Sequence, residues 1–349
     1  MQASADAGAP VGYDLTRVEA WIARHVPDLT PPLKWTRLEG GHSNLTYLIE
    51  GTLGRQAVIR RPPMGELLPK AHDMAREWAL ISALGKTAVP VPRALGFCDD
   101  TAVTGALFYV MGHVDGHPLY SAADAERYAP PQLRTEIAHS FIDVLAELHS
   151  IDPDAVGLGE LGKKDDYIGR QLKTWYRSWT ASIAGAQLDD PRAHELQAYF
   201  LAHVPDQGPA RIVHGDYGVH NTLIGEDDRI AAIIDWEIAT LGEPMADLAY
   251  ALNWFPHPGQ IMPPNSATAL PGFPPPQTLA QRYAERTGAR LDSLPYYSAF
   301  NFWKSAAILQ GVYARYRTGT KDPGTTDLVR MRTQIGERLA NAQNALTRL

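Results

Sequence analysis

RIVHGDYGVHNTLIGEDDRIAAIIDWE, residues 211–237, is the stretch that decides how this chain reads. A short apolar β run, 211–213, delivers His214-Gly215-Asp216 into a loop, and Asn221 stands five residues past the aspartate. The turn at 225–228 reverses the chain, and a second apolar strand, AAII, ends on Asp235. Such a hairpin predicts Asn221 and Asp235 near one another, with Asp216 on the incoming loop. Two carboxylates and an amide oxygen in that arrangement suit a hard divalent cation and a hydroxyl-bearing substrate. Asp227 and Asp228 read as turn residues. Asp216 and Asp235 each close an apolar strand, where a solvent-facing turn acid has no special reason to be.

Working outward, the 349 residues suggest two lobes. Leu15, Val18, Trp21 and Ile22 have helical spacing within 13–25. LKWTRL (33–38), LTYLI (45–49) and QAVIR (56–60) read as an antiparallel meander with Gly40-Gly41 at its first turn. AHDMAREWALISAL (71–84) reads as a helix, and 93–97 and 106–111 as two further strands. After Gly112 the chain becomes mainly helical, with helices at 131–149, 165–184 and 191–203. Short β runs return at 211–213, 222–224 and 230–234, and a proline-rich segment spans 256–276. The expectation is an α+β, bilobal fold with a cleft. Residues 1–12 would be a flexible tail, 13–112 a five-stranded antiparallel N-lobe carrying one helix, and 113–349 a mainly helical C-lobe.

Composition removes several classes. At 45% apolar and 20% charged the chain is neither disordered nor collagen-like. One cysteine, Cys98, excludes an internal disulfide framework and a cysteine-rich zinc module. There is no run long and apolar enough for a membrane span, and the first dozen residues lack a secretory pattern; the expected compartment is cytoplasmic. The net charge of −7 falls entirely beyond residue 112. Neither part is basic, so no nucleic-acid partner is expected. The oligomeric state leaves no mark. GLGELG (157–162) matches a dinucleotide fingerprint literally, but no strand precedes it, so it fails its context test.

His-x-Asp-x-x-x-x-Asn followed by an aspartate closing the next strand resembles the catalytic loop and metal segment of the protein-kinase-like fold. The HGD form, with DWE after it, is similar to the aminoglycoside phosphotransferase and choline kinase branch, as is GEPMADLAY (242–250). RRPPMGELLPKAHDMAREW (60–78) resembles the subgroup similar to the kinase-like domain fused to some acyl-CoA dehydrogenases.

The resemblance implies an ATP-dependent, Mg2+-assisted transfer of phosphate to a small-molecule hydroxyl, with GTP left open as donor. In it Asp216 orients the acceptor and takes its proton, and His214 braces the loop. Asn221 and Asp235 hold Mg2+. Gly40, Gly41, His42, Ser43 and Asn44 would cover the phosphates. Arg60 stands where the family usually has a phosphate-pairing lysine, with Arg61 beside it on the opposite face of the strand, and Glu77 would pair with the cation. Val110, Met111 and His113 fall at the lobe connector, where adenine meets backbone. Asp247 would tie the loop by hydrogen bonds, and Glu237 would support the metal aspartate.

The acceptor is written less clearly. Residues 251–284 contain no Asp or Glu, which suits a polycationic sugar poorly if that segment faces the acceptor. Lys304, Arg315 and Arg317 could receive an anionic group. The expectation is a hydroxylated metabolite, with a hydroxyacyl-CoA-like compound implied by the subgroup. One alternative is an aminoglycoside O-phosphotransferase. An alternative of another class is a nucleotide-binding pseudokinase with a regulatory role.

Overall fold

The computed structural model describes residues 2–4 (backbone alone), 10–39, 44–65 and 72–347. In chain order the first part runs β1 (Gln2–Ser4), α1 (Leu15–His25), β2 (Lys34–Glu39), β3 (Leu45–Glu50), β4 (Gln56–Arg61), α2 (Met74–Leu84), β5 (Ala94–Cys98) and β6 (Phe108–Gly112). The strands form one antiparallel sheet in the order β1-β2-β3-β4-β6-β5. The five predicted strands are all present. The sheet gains a sixth where an unstructured tail was expected: residues 2–4 pair with Glu39, Leu38 and Arg37 of β2.

Strand β4 is the centre of this sheet, and five of its six residues are buried. Period-two alternation therefore sends Arg60 and Arg61 to opposite faces, both covered. Helix α2 begins at Asp73, whose side chain accepts the Arg76 N–H at 3.1 Å. Its buried residues, Met74, Glu77, Leu80, Ile81 and Leu84, recur at helical spacing, so Glu77 belongs to the core-facing stripe. Helix α1 buries Val18 and Ile22 in an apolar cluster with Ile49, Ile59, Phe108 and Val110 of the sheet.

The chain continues with α3 (Ala122–Tyr128), α4 (Arg134–Ser150), α5 (Tyr167–Ala186) and α6 (Pro191–Ala202). Next come β7 (Arg211–Val213), β8 (Thr222–Ile224), β9 (Ile230–Ile233) and β10 (Thr240–Gly242), then α7 (Pro244–Leu252), α8 (Pro276–Thr287), α9 (Leu294–Arg317) and α10 (Leu328–Leu346). β7 pairs with β10 and β8 with β9, both antiparallel. No described helix is long and apolar enough to cross a membrane.

Two compact units result, and their boundary differs from a single cut at residue 112. Unit 1 is Met1–Pro118, Asp154–Leu161 and His220–Ala239; unit 2 is Leu119–Pro153, Gly162–Val219 and Thr240–Leu349. The β8–β9 hairpin joins unit 1 for identifiable reasons. His117 bridges Ile224, the Ile233 N–H donates to the Pro90 carbonyl at 2.9 Å, and Asp235 ion-pairs with Arg60 of β4. The loop that carries both Asp216 and Asn221 thus changes unit after Val219.

Unit 2 is organised by α9, which packs on α5, α7 and α10. Its middle is buried on nearly all sides, with Trp303, Phe300 and Tyr297 among the largest enclosed side chains. Lys304 sits in this apolar run, under 10% exposed.

Candidate active site

In unit 1 the functional side chains gather around Arg60. Its Nε lies 3.1 Å from Glu77 Oε2, and one terminal nitrogen lies 2.6 Å from Asp235 Oδ1 and 3.5 Å from Glu237 Oε2. The other terminal nitrogen, Nη1, bonds no described acceptor, which leaves one prong of the fork for a ligand. Arg61 lies apart from this cluster. It donates to the Pro62, Gly12 and Thr104 carbonyls and stacks over Tyr13.

Three carboxylates thus surround one guanidinium. Burial alone would lower the Arg60 pKa, but Glu77, Tyr109 and Asp235 outweigh it and hold the group above its ordinary range. Burial pushes the Glu77 carboxyl up to about 7, against the pull of Arg60 and of the Tyr109 hydroxyl, which donates to Oε2 at 2.9 Å.

Asn221 and Asp235 are neighbours across the β8–β9 hairpin, where the Ile234 N–H donates to the Asn221 carbonyl at 3.0 Å. Asp235 adopts φ +65°, a left-handed backbone that aspartate tolerates better than most residues. The pair offers one amide oxygen and one carboxylate, both hard donors. Among the described residues no three His, Cys, Asp or Glu form a metal cage. That set fits Mg2+, which completes its shell with water and substrate phosphates rather than with an all-protein site. The surplus of negative charge around Arg60 fits it too.

In unit 2 the centre is the His214-Gly215-Asp216 loop. Asp247, on the first turn of α7, accepts the His214 N–H at 2.7 Å and the Gly215 N–H at 2.9 Å, and lies 3.3 Å from His149 Nε2. Burial would raise its pKa, but the His149 hydrogen bond and charge, with the His214 contacts, hold it below the ordinary carboxylate range. The Asp216 N–H donates to His214 Nδ1 at 3.3 Å, and the Tyr217 hydroxyl anchors the loop on the Phe141 carbonyl at 2.7 Å. Gly215 takes φ +82°, which only glycine adopts cheaply.

Two side chains then reach the loop from neighbouring helices. The Tyr250 hydroxyl donates to Asp216 Oδ1; burial and the Asp216 charge push this phenol well above its ordinary pKa, so it remains a donor. Lys304 donates to the Gly215 carbonyl at 3.4 Å and lies over the Trp175 and Tyr250 rings. Burial pulls its ammonium below the ordinary lysine range, while Asp216 and Asp247 pull the other way.

The profile that describes the phosphotransferase enzyme family matches residues 34–285. The chain belongs to that family. Mouse acyl-CoA dehydrogenase family member 10 is 34% identical over 303 residues, covering 85% of this chain and 28% of that protein. Rat acyl-CoA dehydrogenase family member 11 is 33% identical over 319 residues, covering 88% and 40%. The chain therefore spans less than half the length of these relatives. A solved structure from Ralstonia eutropha, provisionally named an aminoglycoside phosphotransferase, matches with a TM-score of 0.80 at 29% identity over 96% of this chain and 99% of its own. The GDP complex of aminoglycoside 2'-phosphotransferase-IIIa shares the fold, with a TM-score of 0.64 at 14% identity, covering 94% and 99%. The protein-kinase-like fold and the kinship with these kinase-like regions are therefore as the motifs implied.

The expected residues of this phosphotransferase fall into three groups. Arg60, Glu77, Asn221, Asp235 and Glu237 cluster in unit 1, and His214, Asp216 and Asp247 in unit 2. Gly40, Gly41, His42 and Ser43 lie outside the described residues. Asn44 is described, and its amide is already engaged: Nδ2 donates to Glu237 Oε2 at 3.2 Å, and Oδ1 is 2.9 Å from His72 Nδ1. Val110 and Met111 are locked between β4 and β5 by ladder pairing on both sides. Backbone groups open to an adenine would start at His113, beyond the sheet. Arg317 spends its guanidinium on Ala186 and Gln187, and Arg315 is exposed, so of the three basic candidates on α9 only Lys304 reaches the loop. The residue that the sequence reading passed over is Tyr250. It stands three positions after Asp247, the spacing that puts both on one face of a helix, and that spacing was the available signal.

Proposed function

We propose that this chain transfers the γ-phosphoryl group of ATP to a hydroxyl of a small molecule. The observation that carries the reading is the Tyr250 hydroxyl bonded to Asp216 Oδ1: a carboxylate on a braced loop already accepts a hydrogen bond from a hydroxyl. An acceptor alcohol would use the same carboxylate. Its oxygen forms the new bond to phosphorus as the bond from the γ-phosphorus to the β–γ bridging oxygen breaks, its proton passes to Asp216, and ADP leaves.

The other residues act on the donor. The open prong of Arg60 takes a phosphate oxygen, as arginine does well, and Glu77 keeps the guanidinium turned to its place. Asn221 and Asp235 would hold Mg2+, which would supply positive charge against the phosphates during transfer. Asp247 and His214 fix the backbone on which Asp216 stands. A hydroxyacyl-CoA-like acceptor is favoured over an aminoglycoside, in keeping with the acid-free segment 251–284 and the named relatives.

Asp216→Asn tests this reading directly. Turnover, followed by ³¹P NMR with ATP and a panel of hydroxylated acids, acyl-CoA compounds and aminoglycosides, should fall by roughly 10²-fold or more. Nucleotide affinity, measured by calorimetry, should stay within about a factor of three. A wild-type protein that binds MgATP but phosphorylates nothing in the panel would favour the pseudokinase instead.

A further inference from the structure

Beside Tyr250, unit 2 contains a cavity of about 100 Å³, walled by the end of α7, the 253–266 segment, α9 and α10. Tyr250 belongs to its lining, and the hydroxyl of the same residue donates to Asp216. One side chain therefore separates the cavity from the carboxylate proposed to take the acceptor's proton. Much of the wall is apolar, from Trp254, Ile261, Met262 and Phe302. This wall includes part of the acid-free segment.

The polar groups of the wall are mostly spent on the protein itself. The Asn253 Nδ2 donates to the Ser298 carbonyl and the Asn301 Nδ2 to the Ala246 carbonyl. Asn341 both accepts from and donates to the Ile261 backbone. Arg330 and Glu337 pair at 2.7 Å and cancel. Arg338 is different. Its Nε donates to Ser305 Oγ at 2.7 Å, and among the described residues no carboxylate pairs with its guanidinium. Burial holds it below the ordinary arginine range, although an arginine stays charged at any working pH. The cavity thus carries a half-buried guanidinium in a partly apolar wall, eased at a distance by Glu337 and Tyr250 but with no carboxylate in direct contact among the described residues, and its terminal nitrogens face no described acceptor.

We propose that this cavity receives the acceptor and that Arg338 takes an anionic group on its apolar, hydroxylated body. The proposal rests on the phosphotransfer reading and gives it a substrate class: an acceptor with a negative charge, not a polycation. The anion has two chemical sources, the carboxylate of a free hydroxy acid or a phosphate of a coenzyme A thioester. Both offer oxygens that a guanidinium fork grips.

The test uses 3-hydroxyoctanoate, its methyl ester and its coenzyme A thioester, with kanamycin as the cationic control. Binding to wild-type protein, Arg338→Met and Arg338→Lys is followed by calorimetry, and phosphate transfer by ³¹P NMR. Wild type should bind at least one of the two anionic probes about tenfold or more tightly than the methyl ester. Arg338→Met should erase that preference while leaving MgATP affinity and the thermal midpoint near wild type, and Arg338→Lys should restore part of it. Which anionic probe carries the preference tells carboxylate from phosphate. No preference for either anion in wild type, an unchanged preference in Arg338→Met, or tighter binding of kanamycin would each overturn the proposal. Arg338-dependent binding without any phosphate transfer would leave the anion site standing and count against the phosphotransfer reading alone.

Discussion

Arg60 in unit 1 and Asp216 in unit 2 are each held by neighbouring groups, but the means differ. Arg60 is caged by charge, with Glu77, Asp235 and Glu237 around one guanidinium. Asp216 is held by its backbone: its loop is pinned through His214 and Gly215 to Asp247, and its side chain meets a neutral phenol. A charge cage responds to pH, to counterions and to a bound cation. A backbone brace built on the Asp247 carboxylate, held below its ordinary range, keeps its hydrogen bonds at neutral pH and loses them only in acid. Such a division would suit the phosphoryl transfer proposed above, in which donor charge has to be neutralised and a base held in place.

The brace is the more costly of the two to break. Asp247→Ala removes the acceptor for two loop N–H groups and strips the buried His149 of the carboxylate at its Nε2, leaving it only the Tyr283 hydroxyl, so it should destabilise unit 2 by about 3–5 kcal/mol. Urea unfolding followed by tryptophan fluorescence measures this, and activity should be lost with the fold. A loss below about 1 kcal/mol would mean that the loop is held by Tyr217 and the core instead.

Breaking the cage should come next in size. Arg60→Met leaves three carboxylates with no cation, at a cost of roughly 2–4 kcal/mol in the absence of metal. The sharper outcome is linkage: MgCl2 should return more stability to Arg60→Met than to wild type, since a divalent cation supplies the missing positive charge. Equal stabilisation of the two by MgCl2, read from thermal midpoints, would show that the cage is not where the ion acts.

The cage should also carry a pH signature opposite in sign to that of the brace, whose depressed Asp247 loses stability only as pH falls. Glu77 titrates near 7 when folded, against about 4.3 when unfolded. Between these values the folded state binds the proton and the unfolded state does not. Stability contributed by this group is therefore full below about pH 4 and declines as pH rises toward 7. Glu77→Gln should flatten that decline, a difference on the order of 3–4 kcal/mol across the window. Parallel wild-type and Glu77→Gln curves would refute the assignment.

The two regions also differed in how far they could be read from residues alone. Helix and strand periods gave nearly all the elements of both units, because apolar spacing is local and Gly, Pro and Asp punctuate it. Arg60 was separable from Arg61 in principle by strand alternation, yet which one met Glu77 depended on the face against which α2 packs. The motif placed Asp216, Asn221 and Asp235 in one segment, and it could not reveal that the compact units divide after Val219, since the pull on the hairpin comes from Pro90, His117 and Arg60, distant in the chain. The second strand partner of β2, at residues 2–4, was invisible because QAS has no strand period to show. Arg338 had no signal at all. An arginine on a polar helix means nothing until the walls beside it prove to be apolar.

Tyr250 offers the finest comparison between the two modes of holding. If the loop is fixed by its backbone, removing the phenol hydroxyl should cost one neutral-to-charged hydrogen bond and little geometry. Tyr250→Phe should then lower stability by about 1 kcal/mol and turnover by less than tenfold. The ring that packs under Lys304 would remain in place. The acceptor KM is the informative number. A hydroxyl that shares Asp216 with the acceptor competes for the same carboxylate, so its loss should leave that KM unchanged or reduce it. A large rise in acceptor KM, with turnover preserved, would make Tyr250 part of the acceptor's grip, and Asp216 would then be held by charge and ligand much as Arg60 is.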